Sequence, residues 1–334
     1  MLKHFRGSLI ITIIGLALAF WFGGTVALFT TAILIVLEVS LSFDNAVVNA
    51  TVLKRMSPVW QRRFLTWGIL IAVFGVRFVL PIIIVAVASK TGLVAVLEMA
   101  IFESERYGDL LENAKPSIAS FGGMFLLMVF LQYFFDDAKE IHWIETVESW
   151  LTKIGALKSV EIIIALSVLI VLAINVPDAI QARVLISGIL GTVTYVLMHS
   201  ISEFLEMQES KAVGAYAGLG LFVYLEILDV SFSLDGVIAA FAITSNIFII
   251  MLGLSIGAYF VRSMTLYFVH KNTLQQFRYL EHGAHYAVGI LGILMLVGII
   301  VHIPEVLTAL LGGLVIIISG VSSVMYTRRQ LKLR

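Results

Sequence analysis

Apolar residues fall in runs of roughly 18 or more, the length a helix needs to cross the ~30 Å hydrocarbon core of a bilayer. Ten apolar runs of about this length, the first somewhat shorter, can be traced, at about 8–22, 25–53, 63–88, 117–135, 160–176, 180–201, 212–243, 246–269, 283–301 and 306–325. The period-two alternation of a membrane barrel is absent, so the pattern predicts helices. Two runs, 25–53 and 212–243, exceed what one upright crossing needs, which predicts tilt or a break.

The polar segments between the runs give the pattern a direction. With the N-terminus inside, 16 of the 22 Lys and Arg residues fall in inner segments and 4 in outer ones. Cytoplasmic loops carry such an excess, and an odd error in the span count would scramble it. Both termini are therefore expected in the cytoplasm. The outer segment 89–116 is rich in acid. The inner segment 138–158 sets Trp143, Ile144, Val147, Trp150 and Leu151 among charges, at spacings that suit an amphipathic helix lying in the interface. The whole chain, 1–334, is expected to be one transmembrane domain.

Composition agrees with this class. Hydrophobic residues make up 60% of 334, charged residues 13%, and the mean hydropathy is +1.02. A soluble surface needs about twice that share of charge. The net charge is zero, which gives nucleic acid no basic field to meet, and cysteine is absent, which excludes disulfides and thiolate metal sites.

The strongest chemical signal is an internal repeat. Residues 37–47 read Leu-Glu-Val-Ser-Leu-Ser-Phe-Asp-Asn-Ala-Val, and residues 228–238 read Leu-Asp-Val-Ser-Phe-Ser-Leu-Asp-Gly-Val-Ile, 191 positions later. Each copy is followed in the next run by Val-Arg, giving Arg77 and Arg262. The copies sit on the second and seventh runs, which point in opposite directions. That predicts an inverted-topology repeat, with a first half at about 25–135 and a second at about 212–325. Secondary transporters with such repeats bind substrate near the midplane between the halves.

Ionisable groups at that depth cost several kcal/mol, from about 2.5 upward, and so mark function. Glu38, Asp44, Asp229 and Asp235 are the candidate ligands, with Glu226 as a further buried acid outside the repeated core. Against these acids stand Arg77 and Arg262, read as counter-charges, with direct substrate contact as the alternative. The excess of acid calls for protons or a bound cation. Asn45, Ser40, Ser42, Ser231 and Ser233 add neutral oxygens, and together these form a hard set suited to Mg, Ca or Mn. The acids bracing the helices through the two arginines is the structural alternative.

On one helix Glu38, Ser42, Asn45 and Asn49 share a face, with Asp44 about 120° away from Glu38. Bringing both acids to one site predicts that the second and seventh helices are broken near each Ser-x-Ser. Three further groups stand at inner ends of spans: Asp136 with Asp137; His199 with Glu203 and Glu206; and Glu281 with His282 and His285. The first is a candidate cytoplasmic entry site for a cation, and each of the other two a candidate second ion site or proton relay, or an ordinary solvated end. Gly214 with Gly218, and Gly253 with Gly257, have the spacing of helix-packing surfaces.

The run Glu-Val-Ser-Leu-Ser-Phe-Asp-Asn-Ala-Val (38–47), followed by Lys54-Arg55 and Gly75-Val76-Arg77, resembles the TerC family of membrane proteins. Ser233-Leu234-Asp235-Gly236 and Thr244-Ser245-Asn246-Ile247-Phe248 carry the resemblance into the second half. It departs from the better-known members at Gly236, where Ser is usual, at Ile238, where Pro is common, and in lacking a short segment before Thr244. It is closest to a divergent branch without assigned function. The resemblance implies an inverted-repeat exporter fold and a role in manganese homeostasis and metal-ion efflux, with Asp44, Asn45, Asp235 and Glu38 at motif positions.

The expectation is thus an all-α polytopic membrane protein of about ten transmembrane helices, in a bacterial plasma membrane. It is expected to export a divalent cation, Mn2+ favoured, in exchange for protons, through paired buried carboxylates. No permanently bound cofactor and no enzymatic activity are expected. The alternatives are a non-transporting scaffold for metal or envelope stress and an intramembrane enzyme. The latter lacks the Tyr-Asp, Gly-x-Gly-Asp and His-Glu-x-x-His contexts.

Overall fold

A computed structural model describes residues 2–136, 139, 141–155, 157, 159–209, 217–244, 246–271 and 277–333. Among them the secondary structure is helical throughout. In chain order the helices are α1 (Leu2–Leu41), α2 (Phe43–Leu53), α3 (Pro58–Leu70) running through a π-helical stretch (Ile71–Val79) into α4 (Leu80–Ser89), α5 (Leu93–Phe102) and α6 (Ser104–Phe135). Then come α7 (Glu145–Gly155), α8 (Val160–Ile174), α9 (Asp178–Glu209), α10 (Ala217–Ile243), α11 (Ile247–His270), α12 (Leu280–Val297) and α13 (Glu305–Leu333).

Seven of the described helical stretches are long and apolar enough to cross a membrane, and α7 with α8, bent by 101°, makes an eighth if the pair is one span. Helix occupies each of the ten stretches the sequence marks, but not all meet that test alone. The first of the seven, Phe5–Leu41, is not a single rod. Gly23 (φ −144°, ψ 19°) and Gly24 (φ 65°, ψ −153°) break it, the second in a conformation open essentially to glycine. The two arms then run in opposite directions along α11. In the first arm Phe5 lies tilted against Tyr267 and Phe22 edge-on to Phe248, with ring centroids 6.0 and 5.0 Å apart. In the second, Leu34 lies on Gly253 and Glu38 on Gly257. The glycine pair of α11 is the close-packing surface its spacing predicts. Gly214 lies outside the described residues, while Gly218 packs on Trp60.

Chain turns gather at two ends. At one end Lys54 and Arg55 act electrostatically on Glu281, and His282 reaches Ile141. At the other, Phe22 meets Phe248, Tyr107 meets Phe241, and Arg183 reaches Asn113. The acid-rich segment after α4 is not a loop. It forms α5 and the start of α6, which continues through Pro116 for 32 residues.

α6 is the central post of the bundle. From Ile118 to Val129 its residues are almost all buried, and Gly123 and Gly292 let α6 and α12 approach at backbone distance. α2 and α10 lie in the same core, with Val47, Val48, Leu225 and Leu228 in one apolar cluster. Asp44 on α2 and Asp229 on α10 are therefore buried away from bulk water.

Candidate functional site

The face predicted from helical spacing is the buried one. Glu38, Ser42, Asn45 and Asn49 are all buried, whereas Ser40 points outward and donates to Val36 O of its own helix. Ser40 is therefore not among the oxygens at the centre. The break predicted in this segment is present: α1 ends at Leu41, Ser42 sits at φ −103°, ψ 18°, and α2 starts at Phe43. The second copy differs, since α10 runs unbroken through Ser231–Gly236. Gly236 provides close approach instead of a turn. A Cβ there would lie 2.9 Å from Glu38 Oε2, so the glycine lets the first copy's carboxylate rest against α10.

The leading acid of each motif is held by the arginine that follows it. Glu38 Oε1 accepts a short hydrogen bond from Arg77, whose other terminal nitrogen donates to Ala72 O at 2.9 Å. Asp229 Oδ2 accepts from Arg262 at 3.2 Å. Arg262 also grips both oxygens of Glu226 at 3.1–3.2 Å and donates to Phe64 O at 3.0 Å. Its guanidinium lies over the Phe64 ring at 4.1 Å, a cation–π contact. Among the described residues Glu38, Glu226 and Asp229 pair with arginines and not as facing carboxylates, which corrects the paired-carboxylate expectation for these three. Opposite charge at hydrogen-bond distance offsets a desolvation penalty that two facing carboxylates would double.

The pairs are interlocked between the two motif copies. Arg262 and Glu226 pack over Gly68 of α3, where a Cβ would come within 2.3 Å of the guanidinium and 2.5 Å of the carboxylate. Glu38 in turn packs on Gly236 and Gly257. Asn45 completes the link by donating from Nδ2 to Asp229 Oδ1 at 2.8 Å.

Asp44 stands apart. It is 7% exposed, its Oδ1 accepts from the Asn45 backbone N–H at 2.9 Å, and its Oδ2 lies against Gly312 of α13. Among the described residues no cation pairs with it. Asn45 Oδ1, Asn49 Oδ1 and Ser233 Oγ are buried oxygens without a hydrogen-bond partner. Ser42 Oγ is 3.3 Å from Glu38, and Ser231 Oγ returns to Ile227 O. The side chain of Asp235 lies outside the described residues, as do those of Glu203 and Glu206 and all of Asp137. Among the described residues no three His, Asp or Glu side chains converge as a metal-holding group.

Asp136, His199, Glu281 and His285, widely separated in sequence, line one cavity of about 300 Å³ at the Lys54–Arg55 end. His282 does not join them. Its Nε2 is 2.6 Å from Ile141 O and 3.5 Å from Glu148. Glu148 is the residue that sequence reasoning missed. Wholly buried on α7, it takes the backbone N–H groups of Trp143 and Ile144 at 3.2 Å, with Lys139, His142 and Tyr286 at 3.3–3.5 Å. The available signal was a Glu in line with Leu151 and Gly155, the α7 face that packs inward. Val147 and Trp150 of that helix, and Ile144 just before it, are exposed, the pattern of an amphipathic helix.

No curated protein and no solved structure matches the chain. Residues 43–330 match a family described as "Protein of unknown function (DUF475)". The match begins just past Glu38 and takes in both arginines, the whole second motif copy and the cavity residues. Since it covers most of the 334 residues, the chain belongs to the DUF475 family.

Proposed function

We propose that this protein is a secondary exporter of a divalent metal cation, Mn2+ favoured, working in exchange for protons. The observation that carries this reading is Asp44, a buried carboxylate with no cation beside it among the described residues, on the same helix as the unpartnered oxygens of Asn45 and Asn49. A buried acid in that setting needs a proton or an ion to balance it. Carboxylate and amide oxygens are hard donors, which favours Mn, Mg or Ca over softer metals. The resemblance of residues 38–47 and 233–248 to the TerC family supports the same substrate class.

In this account Arg77 and Arg262 occupy Glu38, Asp229 and Glu226 while no ion is bound. An arriving cation draws carboxylates from the arginines, and the two halves rock about the Asn45–Asp229 link. The acid–arginine pairing common to both halves supports an inverted repeat of ten spans, with the α1 hairpin supplying two of them. The gathering of Lys54, Arg55 and Lys139 around Glu281 supports one positively charged inner face, with both termini cytoplasmic. Asp235, at the position matching Asp44, would be the second central ligand.

The test is metal uptake into proteoliposomes holding this protein alone, under an imposed pH gradient, scanned over Mn2+, Mg2+, Ca2+, Zn2+ and Fe2+. Uptake that depends on the gradient and is abolished by Asp44→Asn is the expected result. No flux of any of these ions from correctly inserted protein would overturn the reading and leave a scaffold role in its place.

A further inference from the structure

The cavity at the Lys54–Arg55 end carries chemistry of its own. His285 is 8% exposed, and its ring lies flat on Tyr133, with centroids 3.6 Å apart and planes 5° from parallel. Its Nδ1 is 2.8 Å from Glu281 O. A carbonyl oxygen only accepts, so Nδ1 carries the proton and Nε2 keeps a lone pair. No hydrogen bond reaches Nε2 among the described residues. A backbone carbonyl fixing one ring nitrogen while the other is presented as a lone pair is the usual support of a metal-ligating histidine.

Two carboxylates share the cavity: Glu281, one helical turn before His285 on α12, and Asp136 at the end of α6. The cavity also touches both motif helices. Thr51 of α2 lies six residues beyond Asn45, about 9 Å at 1.5 Å per residue. Tyr224 of α10 lies five residues before Asp229, about 7.5 Å by the same rise.

We infer that this cavity is a loading site for a hydrated divalent cation, held by His285, Glu281 and Asp136 before it moves along α2 and α10 to the buried carboxylates. The inference rests on the transport reading for its purpose, but the site stands on its own residues. Its ligands act largely through water, because no three of them converge on a bare ion. Arg55 in the cavity wall lowers the affinity by like-charge repulsion. Weak, water-retaining binding suits a station that an ion must leave as readily as it arrives.

The experiment uses Mn2+ as the probe. In proteoliposomes, Glu281→Gln with Asp136→Asn should raise KM for Mn2+ about tenfold, the effect of losing ~1.4 kcal/mol of charge attraction, with the change falling on KM more than on Vmax. An unchanged KM in a transporting protein overturns the inference. His285→Gln, which keeps a polar side chain but removes the ligating ring nitrogen, should relieve competition by Zn2+ and provides a second readout if the double variant folds poorly, unchanged Zn2+ competition counting against the site. If the wild type moves no ion, the transport reading falls separately. The site is then judged by Mn2+ paramagnetic resonance titration of Asp44→Asn protein. One weakly bound Mn2+ per chain that disappears with Glu281→Gln supports it, and its absence overturns it.

Discussion

Asn45 Nδ2 donates to Asp229 Oδ1 at 2.8 Å, so the two motif copies, 184 residues apart at this contact, are joined by a side-chain hydrogen bond. Because Asp229 is also held by Arg262, this bond ties α2 to the α10–α11 pair. Replacing Asn45 with Ala strips Asp229 of one donor in a buried setting. The expected loss is about 1–3 kcal/mol of stability, read as a lower unfolding temperature in detergent, with metal flux abolished. An Asn45→Ala protein with wild-type stability and flux would show that the bond does not link the halves.

The two arginines should differ in weight. Arg77 balances Glu38, whereas Arg262 balances Glu226 and Asp229 together. Removing one partner of a buried pair destabilises by about 3–5 kcal/mol, because a charge is left uncompensated. Arg262→Gln should therefore be the more damaging, and Glu226→Gln should partly rescue it. A thermal-unfolding double-mutant cycle measures the coupling. Additive effects would mean that the 3.1–3.2 Å contacts carry no mutual energy.

Gly68 offers a test of packing around the same pair. A methyl at this position would overlap the Arg262 guanidinium and the Glu226 carboxylate, whereas one at Gly313 meets nothing within 4 Å. Gly68→Ala should lose about 1–3 kcal/mol, the usual result of overpacking, and Gly313→Ala almost none. Equal unfolding temperatures for the two variants would contradict the close approach of α3 to Arg262.

The chain contains no cysteine, so single cysteines report its path through the bilayer directly. Substitutions at Lys54, Lys153 and Lys271 should label with an impermeant thiol reagent from one side. Those at Gly92, Arg183 and His302 should label from the other. A cysteine at Gly23 belongs with the second group if the α1 hairpin spans twice, and labelling from the Lys54 side would reverse that.

Burial lowers the pKa of Lys139, with the Glu148 carboxylate beside it at 3.5 Å opposing the shift. Below its folded pKa the lysine is charged in both states, and the full desolvation penalty weighs on the fold. Between the folded value and the ordinary 10.5 the unfolded chain binds more protons, so this contribution to stability rises with pH. Relative to Lys139→Met, the wild type should gain stability on moving through the alkaline range towards pH 10.5, as read from unfolding temperatures. A constant difference would mean that Lys139 is not desolvated.

Much of this site was legible in the sequence because hydrocarbon is an unforgiving solvent. An acid in an apolar run stands out, and a repeated acid with a following arginine stands out further. Helical periodicity then gave the buried face Glu38–Ser42–Asn45–Asn49 correctly and left Ser40 off it. Residue type alone groups Ser40 with the ligand oxygens, and its outward position removes it. The irregularity at Ser42 was legible in the same pattern, but it does not bring Glu38 and Asp44 together, since Glu38 rests on Gly236 and Gly257 and Asp44 on Gly312. The pattern failed for α10, where Gly236 serves as a contact surface for Glu38. A glycine that bends a helix and one that admits a neighbour look identical in one dimension.

Sequence alone thus determined the membrane class, the helical character, the buried acids of the repeat and the arginines, because desolvation and periodicity are local properties of a chain. Tertiary structure decided which acid meets which arginine and that Asp44 is left over. It decided that Asp136, His199, Glu281 and His285 share a cavity while His282 turns away to Glu148. Those outcomes depend on how closely helices remote in sequence approach, at Gly68, Gly236 and Gly257, and no spacing along the chain encodes such a distance.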